Sequence, residues 1–165
     1  MMSTQTPASS LGYGQDRIAK AIYDQLVSLH YGGTFANVVD VTVNLAAKIA
    51  ELAPGTLTAS VFAGSGSEAN EAAIKFARKV GKQVDSSGNK YEIASFNNAF
   101  HGRTMGALSA THNPKYQEPF APMGPGFKQG TYNDIASIND LVTEKTCGVI
   151  VEPIQGEGGV QTASD

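Results

Sequence analysis

The sequence has little of what ties a protein to membranes, nucleic acids or oxidising compartments. Its one cysteine, Cys147, stands at the head of an apolar run. Neither a disulfide framework nor a thiolate metal site can therefore be built within the chain, and an intracellular compartment is expected. No apolar run approaches the roughly 20 residues that cross a bilayer. The start, Met1 to Ser10, carries neither the basic and apolar regions of a secretory signal nor the arginines of a mitochondrial transit peptide. Charge is nearly balanced, 12 Lys and Arg against 15 Asp and Glu, with no basic block. That argues against nucleic acid or a membrane surface and favours small metabolites as ligands. His30, His112 and Cys147 lack the spacing of a metal site and read as structural. There is no internal repeat. What remains is a 165-residue chain of ordinary globular composition, long enough for one domain with a real core.

Taken in order, a polar, Ser/Thr-rich start is expected to be disordered or extended over 1–12. Ile18, Ile22, Leu26 and Leu29 recur at helical spacing and predict an amphipathic helix over Asp16 to His30. Gly32 and Gly33 break it, and a loop through Phe35 and Asn37 leads to a second helix, N-capped by Asp40, with Val41, Leu45, Ile49 and Leu52 as its buried stripe. Pro54-Gly55 ends this helical segment, 13–55. Ser60 to Ala63 reads as a short buried strand, followed by a Gly/Ser turn and an alanine-rich helix that Gly81 is expected to stop. Tyr91 to Phe96 is a second strand, and Phe100 to Thr104 passes into a short helix toward Ala110. Four prolines between Asn113 and Gly130 are too many for a helix and predict a long excursion of the kind that covers a site. Asp134 caps a helix through Val142, and Cys147 to Val151 is a third strand, apolar enough for a sheet covered on both faces. This alternation predicts a parallel α/β sheet with its loops gathered at the carboxyl ends of the strands, where ligands of such sheets bind.

Three of those loops carry unusual residues. In Gly64-Ser65-Gly66-Ser67-Glu68, Ser65 and Glu68 stand at capping-box spacing, which aims the amides of Gly66 and Ser67 at an anion; a capped helix with no ligand reads the same residues equally well. Gly64-x-Gly66-x-x-Ala69 fits a dinucleotide fingerprint. However, the second strand ends in Phe96-Asn97 rather than an acidic residue, Asp85 lies before that strand, and the turn lacks the lysine of a nucleoside-triphosphate loop. A phosphate site survives that test; a dinucleotide site does not. Phe100-His101-Gly102-Arg103 puts a stacking surface, an imidazole and a carboxylate-gripping guanidinium in one turn. Core packing for Phe100 and a scaffold role for His101 stand beside that reading. Glu152 to Gly159 places two carboxylates, Glu152 and Glu157, where one could pair with Arg103, unless they are incidental charges on a solvated turn.

Together, Ser65-Gly66-Ser67-Glu68-Ala69-Asn70-Glu71, Phe100-His101-Gly102-Arg103-Thr104 and Glu152-Pro153-Ile154-Gln155-Gly156-Glu157-Gly158-Gly159 resemble the class III aminotransferases, which use pyridoxal phosphate. The resemblance runs from about Leu11 to Val160. Met105 to Thr111, Lys115-Tyr116 and Thr143 to Val151 look most like fungal acetylornithine aminotransferases, while Gly12 to Asn37 is closer to ω-amino-acid:pyruvate members. The resemblance implies a partial fold type I large domain over 56–165, mostly parallel sheet with flanking helices, after an N-terminal helical segment. It also implies that Gly66 and Ser67 bind the cofactor phosphate, with Ser65 in support, and that Phe100 stacks on the pyridine ring beside His101. Arg103 then takes the substrate carboxylate, and Glu157 acts as a gating glutamate with Glu152 in support. The implied reaction is amino transfer between N-acetylornithine and 2-oxoglutarate in a mitochondrial or cytoplasmic homodimer. The family's Schiff-base lysine belongs to a segment that nothing here resembles: Lys75, Lys79, Lys82, Lys90, Lys115, Lys128 and Lys145 all lie elsewhere. A truncated chain with little activity of its own is expected, the alternative being a non-catalytic homologue that binds phosphate or a full-length subunit.

Overall fold

A computed structural model describes residues 10–32 and 38–164, so most of the expected disordered start and the loop through Phe35 and Asn37 lie outside the described residues. The chain divides into two compact units, one ending at Ser60 and one beginning at Val61.

The first unit holds α1 (Asp16–Leu29) and α2 (Asp40–Leu52), where the apolar periodicity placed them. Ion pairs one turn apart, Lys20 to Asp24 and Lys48 to Glu51, each at 2.9 Å, support their outer surfaces. Two expectations fail. Val39, not Asp40, is the N-cap of α2, and Asp40 sits in the first turn, where its charge suits the positive helix end. Val41, Leu45, Ile49 and Leu52 stay between 40% and 72% exposed, because two short helices offer no sheet of their own to pack on.

The second unit is built on a three-stranded sheet in the order β2-β1-β3, wholly parallel as expected: β1 (Glu92–Phe96), β2 (Phe127–Gly130) and β3 (Thr146–Val149). β1 is central and buried along its whole length, with Ile93 opposite Phe127 on one side and Ala94 opposite Val149 on the other. α3 (Gly66–Val84) packs on β3 and on α4 (Met105–Ala110), and α6 (Ile135–Leu141) packs on β2. Asp134 caps α6 by accepting from the Ser137 amide at 3.3 Å. Ala94, Phe96 and Leu141 form a core cluster against Tyr132. A two-stranded antiparallel ribbon, β4 (Ile154–Gln155) with β5 (Gln161–Thr162), follows.

Several boundaries and elements differ from expectation. Ser60 to Ala63 is not a strand: nothing among the described residues pairs with it, and Val61 is 65% exposed. Gly81 does not stop α3, which runs on to Val84. Gly81 marks a close approach instead, since a Cβ there would meet the Lys90 carbonyl and the Cys147 side chain. β3 spans 146–149 rather than 147–151 and lies at an edge of the described sheet, leaving Val149 48% exposed rather than covered on both faces. The proline-rich excursion is ordered into α5 (Pro114–Gln117), a 3-10 turn at Glu118–Phe120 and the strand β2. Pro114 begins α5 instead of preventing it, because the first helical turn needs no proline N–H, and Asn113 caps it by accepting from the Lys115 amide at 3.1 Å.

Candidate functional site

Three loops converge beyond the carboxyl end of β1, and their own side chains tie them together. Ser65 is the N-cap of α3: its hydroxyl accepts from the Glu68 amide and donates to the Glu68 carboxylate, both at 3.2 Å. The amides of Gly66 and Ser67 find no partner among the described residues. They form the positively polarised end of a 19-residue helix. The Ser67 hydroxyl accepts from the Arg103 amide at 3.1 Å, which leaves its own proton free to donate. Gly102 makes this contact possible: its φ of 128° lies in the glycine-favoured region, and a Cβ there would strike the Ser67 side chain.

Farther along α3, the Asn70 amide donates to the His101 carbonyl at 2.6 Å. The Glu71 carboxylate accepts from the Gly106 and Ala107 amides at 2.7 and 3.3 Å, capping α4 from a neighbouring helix. Burial pushes the Glu71 carboxyl up. The nearby Thr104 hydroxyl, the two amides and the charge of Arg78 outweigh that and hold it below the usual carboxylate range. The Thr104 hydroxyl itself has no partner in good hydrogen-bond geometry, so the two amides are the firm contacts. Ser67, Asn70 and Glu71, within the first two turns of one helix, thus hold the segment from His101 to Ala107.

The third loop is joined through Glu152, whose carboxylate accepts from the Phe100 amide at 2.9 Å. The Tyr132 hydroxyl donates to the Glu152 and Pro153 carbonyls at 2.8 and 3.1 Å, and the Gln155 amide donates to the Asn97 carbonyl at 2.8 Å. Neither Glu152 nor Glu157 pairs with Arg103, contrary to one of the pairings considered above. Glu152 is engaged by a backbone N–H, and Glu157 lies exposed with no bond among the described residues. Arg103 rests on rings instead, its Cζ 4.3 Å from the centroid of Tyr116 and 5.5 Å from that of Phe100.

His101 is 5% exposed, its amide donating to the Thr111 hydroxyl at 2.8 Å while its Nε2 has no partner. Burial, and then the nearby His112, pull its pKa down, so the ring is neutral near pH 7. His112 is pulled down by burial as well, with partial opposition from the Lys128 backbone. No group of metal-ligating side chains occurs among the described residues.

These residues fit a phosphorylated aromatic cofactor. Two free amides and a free hydroxyl proton meet at a helix N-terminus, and a Cβ added at Gly66 would touch nothing within 4 Å, so the space above that end is open. Sequence reasoning found Ser65, Gly66, Ser67, Phe100, His101, Arg103 and Glu152 in one place. It did not single out Asn70, Glu71, Tyr116 or Tyr132 as site residues. Asn70 and Glu71 sit in the first motif, but nothing in the sequence shows that they reach across to the second.

The chain, with its parallel α/β unit and open, amide-lined helix end, matches the family model for aminotransferase class-III over residues 2–165. The chain belongs to that family. It is 58% identical to the mitochondrial acetylornithine aminotransferase of Neurospora crassa, covering 95% of this chain and 35% of that protein. It is 42% identical to the acetylornithine aminotransferase of Methanocaldococcus jannaschii, covering 94% and 38%. Among solved structures, an ω-transaminase from Thermomicrobium roseum superposes with a TM-score of 0.82 at 35% identity, covering 93% of this chain and 39% of that one. The ornithine aminotransferase of Toxoplasma gondii, described with partial occupancy of pyridoxal phosphate, gives 0.84 at 29% identity, covering 95% and 37%. The chain spans little more than a third of the length of these relatives.

Proposed function

We propose that this chain forms part of the cofactor- and substrate-binding region of a pyridoxal-phosphate-dependent acetylornithine aminotransferase, moving an amino group from N-acetylornithine to 2-oxoglutarate in arginine biosynthesis. The observation that supports the reading is the contact between Ser67 and the Arg103 amide, which joins the helix end with its unpartnered amides to the turn that carries Arg103. Pyridoxal phosphate, when bound, supplies an electron sink that lets a proton leave the carbon bearing the substrate amino group.

The residues of this chain bind and orient. The Gly66 and Ser67 amides and the Ser67 hydroxyl hold the phosphate, supported by the Ser65 cap. Phe100, fixed through its amide by Glu152, offers its ring to the cofactor heterocycle beside the neutral His101. Arg103 meets the substrate carboxylate with paired N–H donors, and Glu157, free of other bonds, gates that approach. None of these residues is assigned the proton transfer; their roles are binding and orientation. Acetylornithine as donor and a mitochondrial location follow the fungal relatives' names, and a homodimer follows the family resemblance.

Pyridoxal phosphate titrated into the isotope-labelled chain should shift the amide resonances of Gly66 and Ser67 together with the ring signals of Phe100. Replacing Ser67 by Ala should weaken the phosphate response several-fold, by loss of one charge-assisted hydrogen bond. Shifts confined to other parts of the chain, or none at saturating cofactor, would overturn the assignment.

A further inference from the structure

Arg103 is exposed, and no acidic side chain or carbonyl holds its guanidinium among the described residues; aromatic rings are what constrain it. The nearer is Tyr116, at 4.3 Å from Cζ to ring centroid. Phe100 is farther, at 5.5 Å, and its ring meets that of Tyr116 edge-on, with centroids 6.5 Å apart and planes at 81°. The three side chains form one cluster, with Tyr116 the ring nearer the guanidinium.

We propose that Tyr116 is the positioning residue for Arg103, its ring holding the guanidinium in the plane from which the paired N–H donors meet a substrate carboxylate. The inference rests on the reading of Arg103 as the carboxylate-binding residue. An arginine on a free stem loses rotamer freedom when it binds, whereas a stacked one has already lost it and keeps every N–H donor for the ligand. The platform is itself fixed. Tyr116 stands on α5, where its amide donates to the Asn113 carbonyl at 2.9 Å, and the neighbouring Gln117 side chain donates to the Leu108 carbonyl of α4 at 3.0 Å. The Tyr116 hydroxyl has no partner among the described residues, so the ring face and not the phenol carries the effect. The ordered part of the proline-rich excursion therefore serves the site by presenting this one ring.

The test is NMR of the full chain with glutarate as carboxylate probe. In the unsubstituted protein the Arg103 side-chain protons should be shifted upfield by the ring beneath them, and Arg103 Hε should move on titration. Tyr116→Phe should keep both the upfield shift and the affinity. Tyr116→Leu should abolish the upfield shift and weaken glutarate binding about two- to five-fold, the range expected for a surface cation–π contact. Fluorinated phenylalanines at position 116 keep the shape of the ring while draining its negative face, so affinity should fall with each fluorine even if the leucine variant does not fold. Unchanged affinity in Tyr116→Leu with an otherwise intact amide spectrum, or across the fluorinated series, overturns the role of Tyr116 while leaving that of Arg103. An Arg103 Hε that ignores glutarate in every form overturns both.

Discussion

Single side chains at this candidate site hold the loops together and also border the open helix end. Ser67 accepts from the Arg103 amide and keeps a proton to give, so it links the helix end proposed to hold a phosphate to the turn that carries Arg103. Glu68 is the opposite case. Its carboxylate completes the Ser65 cap at 3.2 Å, and in doing so places a negative charge at the helix end proposed to receive a phosphate. A like charge a few ångströms from a bound anion weakens binding, while the capping bonds need an oxygen acceptor and not a charge. Glu68→Gln is therefore expected to leave helix stability within about 0.5 kcal/mol of the parent, and to tighten binding of inorganic phosphate. Phosphorus NMR titration at low ionic strength measures the affinity, and the gain should shrink as salt is added. An equal or weaker affinity in the variant would show that the carboxylate swings clear of the anion.

At the scale of elements, α3 acts as a rail on which the second loop is mounted, and Glu71 is its most telling fastening. Because the folded-state pKa of Glu71 lies below its ordinary value of 4.5, its contribution is fully present above that value and is lost as pH falls through the lowered pKa. Glu71→Ala should cost about 1.5–3 kcal/mol, the worth of hydrogen bonds to a charged acceptor. Glu71→Gln should cost less and should flatten the pH dependence of stability below 4.5, as urea denaturation across that range would record. A pH profile identical in the parent and in Glu71→Gln would remove Glu71 from the fastening. How much of this the sequence disclosed depended on how local the cause is. The Ser65 and Asp134 caps, the helical spacing of α1 and the strand ending at Phe96 are all decided within a few residues and were legible. β2 was not: Phe127-Lys128-Gln129-Gly130 has neither alternation nor β-branched residues, and it becomes a strand only because β1 supplies the ladder at Ile93 to Phe96. The convergence of the loops was legible from the parallel topology, but their fastenings join residues 31 to 58 positions apart. The real partner of Glu152 is a backbone amide, which a reading of charges could not supply.

For the molecule as a whole, two histidines, His101 buried and His112 half-buried, decide how it meets acid. His101 and His112 are both held neutral by burial, and His112 adds to the penalty on His101, so protonating either one makes the other harder to protonate. Both have folded-state pKa values below the ordinary 6.5. Their contribution to stability is therefore complete above 6.5 and is lost as pH falls from there toward the lowered values, where the unfolded chain takes up protons that the folded chain refuses. Each such proton steepens the loss by up to about 1.4 kcal/mol per pH unit. This window opens at higher pH than that of Glu71, so acid should first weaken the protein through the histidines. Urea midpoints measured from pH 7.5 down to about 5.5 should fall steadily in the parent. The fall should be shallower in His112→Gln, which removes one of the two groups and relieves the other. The same variant should leave the lower, Glu71-dependent stage where it was. His101 follows directly on Phe100, and its backbone is held by Thr111 and Asn70. The first stage should accordingly be accompanied by loss of the response of Phe100 to pyridoxal phosphate, while the amides of Gly66 and Ser67 still answer to inorganic phosphate. A parent protein whose stability is flat between pH 7.5 and about 5.5 would mean that the histidines accept protons without opening the fold.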